Sequence, residues 1–469
     1  MNREKELAKN TIILAVGKIC TQFISFILLP LYTALLVPDE FGIVDLFNTY
    51  ISLLTPIFNC QFENGLFRFM LDFRGDYSKQ KSLFSTIVIA NLGQAAIYLV
   101  FFFIAQPFIS SEYKIFLALD VVANIFLNTL LQFPRGLGNN LVYSIGSFIS
   151  ATLTVVLNVL FIAGLRWGAL GMFSATVSAK ALTGLYLIIA TKTWRYFSFK
   201  AADRSLLMSV SKYSLPLVPN RLSWWVVGAS DRIIVAHFID VAANGIYSVA
   251  NKFSSVYVTF YSIFDMSWTE SVSLHMEDED SDEFLTDTIN TMFNLIAAIA
   301  IGIIACMPFI FNVMINEKYA DAYYQIPILM LAGLFQAVVG LYSVIYVALK
   351  KSSEIAKTSI FAAVINIVID LLLVKFIGLY AASISTLVAY GAMAFYRYFD
   401  VKKYVMVPLK TKNLIISVLV AMISLLTYYY RNTFLQVIGL VVVVIYAVLI
   451  NKHFLLSVLR GFIKKIKKN

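Results

Sequence analysis

Apolar residues run in blocks of about 20 along the whole chain, separated by short polar breaks, and they neither alternate nor keep to one helical face. Each block is long enough to cross a hydrocarbon core roughly 30 Å thick. Backbone in lipid must satisfy its own hydrogen bonds, which leaves helices or closed barrels, and long continuous runs select helices. Fourteen spans are predicted, at 10–33, 41–62, 83–106, 113–134, 141–164, 168–190, 212–236, 244–269, 288–312, 325–349, 354–376, 379–399, 411–430 and 433–450. The fold class is therefore an all-α integral membrane protein.

Composition agrees: of 469 residues, 60% are hydrophobic and only 14% are charged, too few charges for a soluble domain of this length. The N-terminal MNREKELAKN leads straight into an apolar stretch without a small-residue cleavage site, so it reads as the start of the first span and not as a removable signal. Cys20, Cys60 and Cys306 all fall in apolar runs, without disulfide or metal spacing, and read as small buried hydrophobes.

The net charge of +10 is explained by topology and needs no nucleic acid. With the N-terminus in the cytoplasm, Arg3, Lys5, Lys9, Arg68, Arg74, Lys79, Lys81, Arg135, Lys192, Arg195, Lys200, Arg204 and Lys212 are inside. So are Lys350, Lys351, Lys357, Arg397, Lys402, Lys403, Lys410, Lys412 and the tail GFIKKIKKN, which suits anionic headgroups. The outer turns hold only Lys114, Arg166, Lys318 and Arg431. That asymmetry sets both termini inside a cytoplasmic membrane. The acidic run His275–Glu283 lacks the ligand spacing and Gly of a calcium loop and reads as a solvated hinge.

The chain also repeats itself. Gly42-Ile43-Val44 matches Gly245-Ile246-Tyr247 at an offset of 203, and GMFSATVS (Gly171–Ser178) matches GLYAASIS (Gly378–Ser385) at 207. A duplication of six spans predicts two parallel bundles, 1–200 and 201–410, related by an axis along the membrane normal with a cavity between them. Residues 411–469 add a helix pair and a basic tail.

Charges inside spans are costly and normally face a wet cavity or a partner. Lys18 in the first span maps onto Arg221 in the seventh at the same offset of 203, and Lys252 follows in the eighth, so cations prevail there and an anionic phosphate or pyrophosphate is the matching ligand. Asp231 and Arg232 read as an interfacial charge pair or a coupling site, Asp265 as a neutralising or proton-exchanging group, and Lys180, Asp370 and Lys375 are further intramembrane charges. Pro30, Pro216 and Pro219 bend the first and seventh spans. Trp224, Trp225 and Trp268 read as interface anchors. No nucleophile–base arrangement, metal cluster or sizeable outer loop suggests an enzyme.

The stretches AKNTIILAVGK (Ala8–Lys18), LPLYTALLVPDEFGIVDL (Leu29–Leu46), KYSLPLVPN (Lys212–Asn220) and DRIIVAHFIDVAANGIYSVANKF (Asp231–Phe253), with Phe264 and Trp268, resemble the polysaccharide-transport branch of the multidrug/oligosaccharidyl-lipid/polysaccharide exporter superfamily. The resemblance implies a V-shaped transporter of two six-helix bundles. Its implied cargo is undecaprenyl-pyrophosphate-linked oligosaccharide for O-antigen, capsule or exopolysaccharide, carried from the inner to the outer leaflet by alternating access. It implies that Lys18, Arg221 and Lys252, with Arg68 at the inner end of the second span, hold the pyrophosphate. Coupling to an H+ or Na+ gradient and no cofactor are implied, with membrane lipids, a polysaccharide polymerase and chain-length proteins as partners. A lipid II flippase and a cation-coupled multidrug antiporter are the alternatives within the superfamily. The antiporter would want an acidic cavity.

Overall fold

The computed structural model describes residues 26–276, 278–349 and 351–456. Among them are sixteen α-helices and no β-strand, and 11 of the helices are long and apolar enough to cross a membrane. The expected first span, 10–33, lies largely outside the described residues, as do Lys18, Cys20 and the basic tail. The helices over the expected seventh and eighth spans are 22 and 35 residues long and stand apart from those 11, the first carrying Arg221, Asp231 and Arg232 and the second Lys252 and Asp265 among many Asn and Ser. Contacts divide the chain into two compact units, Met1–Gly245 and Ile246–Asn469.

The first unit holds α1 (Leu29–Leu35), α2 (Pro38–Asn59), α3 (Phe62–Asp72), α4 (Tyr77–Ala105), α5 (Lys114–Gly136), α6 (Asn140–Asn158), α7 (Gly168–Thr191), α8 (Arg204–Ser214) and α9 (Leu217–Phe238). It also holds the first turn of α10 (Val241–His275). Helices α8 and α9, which the duplication assigns to the second half, pack here against α2, α3 and α4. Pro216 caps α9, and it and Leu215 keep helical backbone while interrupting the run between α8 and α9 where the bend is expected.

The unit is layered. One apolar cluster joins Val44, Phe47 and Ile51 of α2 to Tyr98, Phe102, Val121, Ile125 and Phe173. A second joins Phe62, Leu66 and Met70 of α3 to Leu83, Phe84, Ile87, Phe133 and Val210. Between them on each helix lies a polar stretch: Thr55 and Asn59, then Asn91 and Gln94, then Thr129. These groups bond one another, Asn91 Nδ2 donating to Thr129 Oγ1 at 2.6 Å and Gln94 Nε2 to the Asn59 carbonyl at 3.0 Å. Buried polar groups in lipid require such partners.

The second unit holds the rest of α10 with α11 (Ser281–Met314), α12 (Ala322–Ala348), α13 (Ser352–Ile377), α14 (Leu379–Val401), α15 (Thr411–Tyr430) and α16 (Thr433–Ile450). Of the acidic run, Asp282 and Glu283 form the first turn of α11, where the helix dipole favours carboxylates. The last two helices pack on α11 through Ala298, Ile301, Ala305, Val420, Val443 and Tyr446. Asn290 adds a bond to the Pro408 carbonyl at 2.9 Å and accepts from the Lys410 N–H at 2.7 Å, and Tyr323 and Tyr428 stack 4.2 Å apart. Arg397, counted among the inner-face cations by sequence, is fully buried instead. Its guanidinium donates to Thr358 Oγ1 at 2.8 Å and 3.1 Å and to the Ser343 hydroxyl.

Candidate functional site

Helix α2 ends at Asn59 and α3 begins at Phe62, and the two residues between them, Cys60 and Gln61, have φ of 53° and 57°. Left-handed backbone costs a residue with a Cβ about 1–2 kcal/mol. Irregular backbone at membrane depth persists only where it is buried in protein or lines a cavity. Here it lines one. A cavity of about 540 Å³ opens beside the break, walled by α2, α3, α5, α6 and α9.

Six carboxamides dominate its wall: Asn48, Gln61, Asn64, Asn124, Asn128 and Gln132. Ser52, Thr55 and Tyr143 add hydroxyls, and Glu63 and Arg221 bring one charge of each sign. Glu63 and Arg221 attract each other, and Asn59 Nδ2 donates to Glu63 Oε2 at 2.7 Å. Gln61 is held by Asn64, whose Nδ2 donates to Gln61 Oε1 at 2.9 Å. The hydroxyl of Thr55, 8% exposed, has no hydrogen-bond partner among the described residues.

Supports behind the wall fix it. Asp120 on α5 is ion-paired to Lys180 on α7, and Asn124 Nδ2 donates to the same carboxylate at 3.4 Å. From α9, the Trp225 indole donates to Ser52 Oγ at 3.0 Å and to the Thr49 carbonyl at 3.2 Å. Trp268 likewise donates to the Leu341 carbonyl at 3.2 Å and is buried. Both indoles spend their N–H on partners within the protein.

The sequence-derived candidates are thus distributed. Arg221 lines the cavity. Arg68 lies on α3 away from it, half exposed and paired with Asp72 at 2.6 Å. Lys252 and Asp265 belong to the second unit, where Tyr261 donates to Asp265 Oδ1 at 3.2 Å. Arg232 pairs through Nε with Asp45 Oδ2 of α2 at 2.9 Å, which makes it a helix-to-helix link, and Asp231 beside it is buried. Asp45, Glu63 and Asp120 escaped the sequence reading although each stands in or at the edge of an apolar run, the signal that found Lys180. The carboxamides left a weaker trace, scattered over two expected spans and just past the end of one of them.

A further contact obeys the internal repeat. A Cβ on Gly42 would lie 2.0 Å from the Val241 carbonyl oxygen, and a Cβ on Gly245 would lie 2.1 Å from that of Pro38. Pro38 and Val241 are 203 residues apart, as are Gly42 and Gly245, so the two contacts are exchanged by the repeat and the helix starts cross about a local two-fold. Asn244 Nδ2 closes the crossing on the Gly42 carbonyl at 3.0 Å.

A family model described as polysaccharide biosynthesis protein matches residues 7–269, more than half of the chain. The chain belongs to the polysaccharide biosynthesis protein family. The resemblance read from the sequence is borne out. A Haemophilus influenzae protein named for the Lsg locus is 24% identical over 261 residues, a match spanning 53% of this chain and 61% of that protein. In fold, this family member is similar to the lipid II flippase MurJ in an inward closed conformation, with a TM-score of 0.68, 14% identity and coverage of 96% of this chain and 100% of that one. It is similar also to an inward-facing MATE family multidrug transporter of the MOP superfamily, with a TM-score of 0.67, 13% identity and coverage of 83% and 98%.

Proposed function

We propose that this family member is a flippase for lipid-linked oligosaccharide, a transporter and not an enzyme. It moves undecaprenyl-pyrophosphate-linked repeat units of O-antigen, capsule or exopolysaccharide from the inner to the outer leaflet of a bacterial cytoplasmic membrane, with both termini inside. The observation that carries the reading is the polar cavity with Arg221 in its wall, inside a bundle of apolar helices. A soluble sugar polymer cannot enter lipid, and a polar chamber at membrane depth gives its head group somewhere to sit while the polyprenyl chain stays in the bilayer. Arg221 offers the pyrophosphate a bidentate donor, with Lys18 and Lys252 as further cations and Arg68 as a first contact at the inner face. An H+ or Na+ gradient drives the cycle, in which Asp231, Arg232 and Asp265 are the charges available for coupling. A polymerase and chain-length proteins receive the product.

Deletion and complementation test this. Surface polysaccharide should disappear while lipid-linked repeat units accumulate on the inner leaflet, and the wild-type gene, but not one carrying Arg221→Ala at equal protein level, should restore export. Normal polysaccharide with new sensitivity to cationic drugs would move the protein to the antiporters, and arrested cell-wall synthesis would make it a lipid II flippase.

A further inference from the structure

The cavity on the first unit holds more chemistry than a phosphate needs. We infer that its carboxamides read the lipid-proximal sugar of the head group and that the sugar selected is uncharged and rich in hydroxyls. This rests on the proposed function and adds to it the class of sugar and the residues that read it.

Phosphate recognition asks for cations and N–H donors. Here one cation, Arg221, stands opposite one carboxylate, Glu63, so the wall carries no net charge to offset an acidic sugar. Carboxamides instead supply two donors and one acceptor each at fixed geometry, and sugar hydroxyls, which both donate and accept, complement that set. Three observations indicate a site made for a ligand. Thr55 lines the cavity wall, more than nine-tenths buried, and its hydroxyl has no partner among the described residues. Asn124 donates its amide to Asp120, which leaves its carbonyl oxygen to accept from the cavity side, and the Lys180 ion pair holds Asp120 for that task. Cys60 and Gln61 keep left-handed backbone, and the turn they make brings Gln61, Glu63 and Asn64 to the wall.

Size agrees. At about 540 Å³ the cavity falls within the roughly 300–1,000 Å³ of sites that bury small ligands, so it takes the lipid-proximal end of a glycan and not a long chain. Arg221 in the same wall then meets the phosphate to which that sugar is joined.

The test uses the full chain in lipid nanodiscs with two probes: bare polyprenyl pyrophosphate, and lipid-linked oligosaccharide extracted from the membranes of the deletion strain. Wild type should bind the sugar-bearing lipid at least about tenfold more tightly, the equivalent of one or two hydrogen bonds. Thr55→Val with Asn128→Leu should reduce that preference to less than about twofold while leaving the bare lipid unchanged, which also certifies the fold. Arg221→Gln should weaken both lipids alike. Equal affinity of wild type for the two probes, or equal weakening of both by the Thr55→Val and Asn128→Leu pair, would overturn the inference and leave the proposed function standing. A wild type that binds neither lipid would overturn both.

Discussion

At the residue scale, single side chains settle what the membrane tolerates. The crossing at Gly42 and Gly245 has no room for a Cβ, since the nearest atoms are backbone carbonyls that cannot turn away. Gly42→Ala and Gly245→Ala are each expected to destabilise the protein by about 1–3 kcal/mol, the range for overpacking. Thermal unfolding in detergent checks this, with Gly93→Ala, which meets nothing within 4 Å, as a neutral control. Arg397 gives a second case. Its hydrogen-bond partners Ser343 and Thr358 each donate within their own helices, to the Val339 and Glu354 carbonyls, so they are not orphaned when the guanidinium goes. Arg397→Met should therefore melt near wild type, whereas Arg397→Lys keeps a buried charge without the planar fork and should cost about 3 kcal/mol.

At the element scale, the break between α2 and α3 and the link between α2 and α9 frame the cavity. The break depends on two residues at positive φ. Cys60→Gly should leave stability within about 1 kcal/mol, because relieved strain offsets the added freedom of the unfolded chain. Cys60→Val, β-branched in a left-handed conformation, should lower stability by about 1–2 kcal/mol, and the same melts should register both. The link is the Asp45–Arg232 pair, 13% and 15% exposed. Removing one member takes away a charge-assisted link between the helices, and Asp45→Asn is expected to lose about 1.5–3 kcal/mol. The Asp45→Arg, Arg232→Asp exchange should recover a large part, read as coupling in a double-mutant cycle.

At the scale of the whole molecule, the extra helix pair is fixed by polar bonds to α11 more than by apolar area, since lipid tails would cover its apolar face equally well. Asn294 accepts from Asn413 Nδ2 at 3.3 Å and, through its carbonyl, from Asn451 Nδ2 at 3.5 Å. Asn294→Leu removes the first of these and should loosen the pair. Trypsin cleavage in the connection that holds Lys402, Lys403 and Lys410 should speed up several-fold, without a change in cavity binding on the first unit.

The multi-pass helical class and the family were determined by the sequence alone, because span length and motif are local quantities that one chain displays in order. The repeat even foretold the Gly42–Gly245 relation, as a matched offset whose meaning was hidden. What the sequence could not order was depth and facing. Arg397 reads as an inner-face cation, yet folding turns it onto α12 and α13. Asp45 and Arg232 lie far apart along the chain and become one bond. Six carboxamides, on α2, α3 and α5 and in the break between α2 and α3, carry no net charge and no spacing of their own, so only the tertiary structure, by packing those helices around that break, made them a single wall.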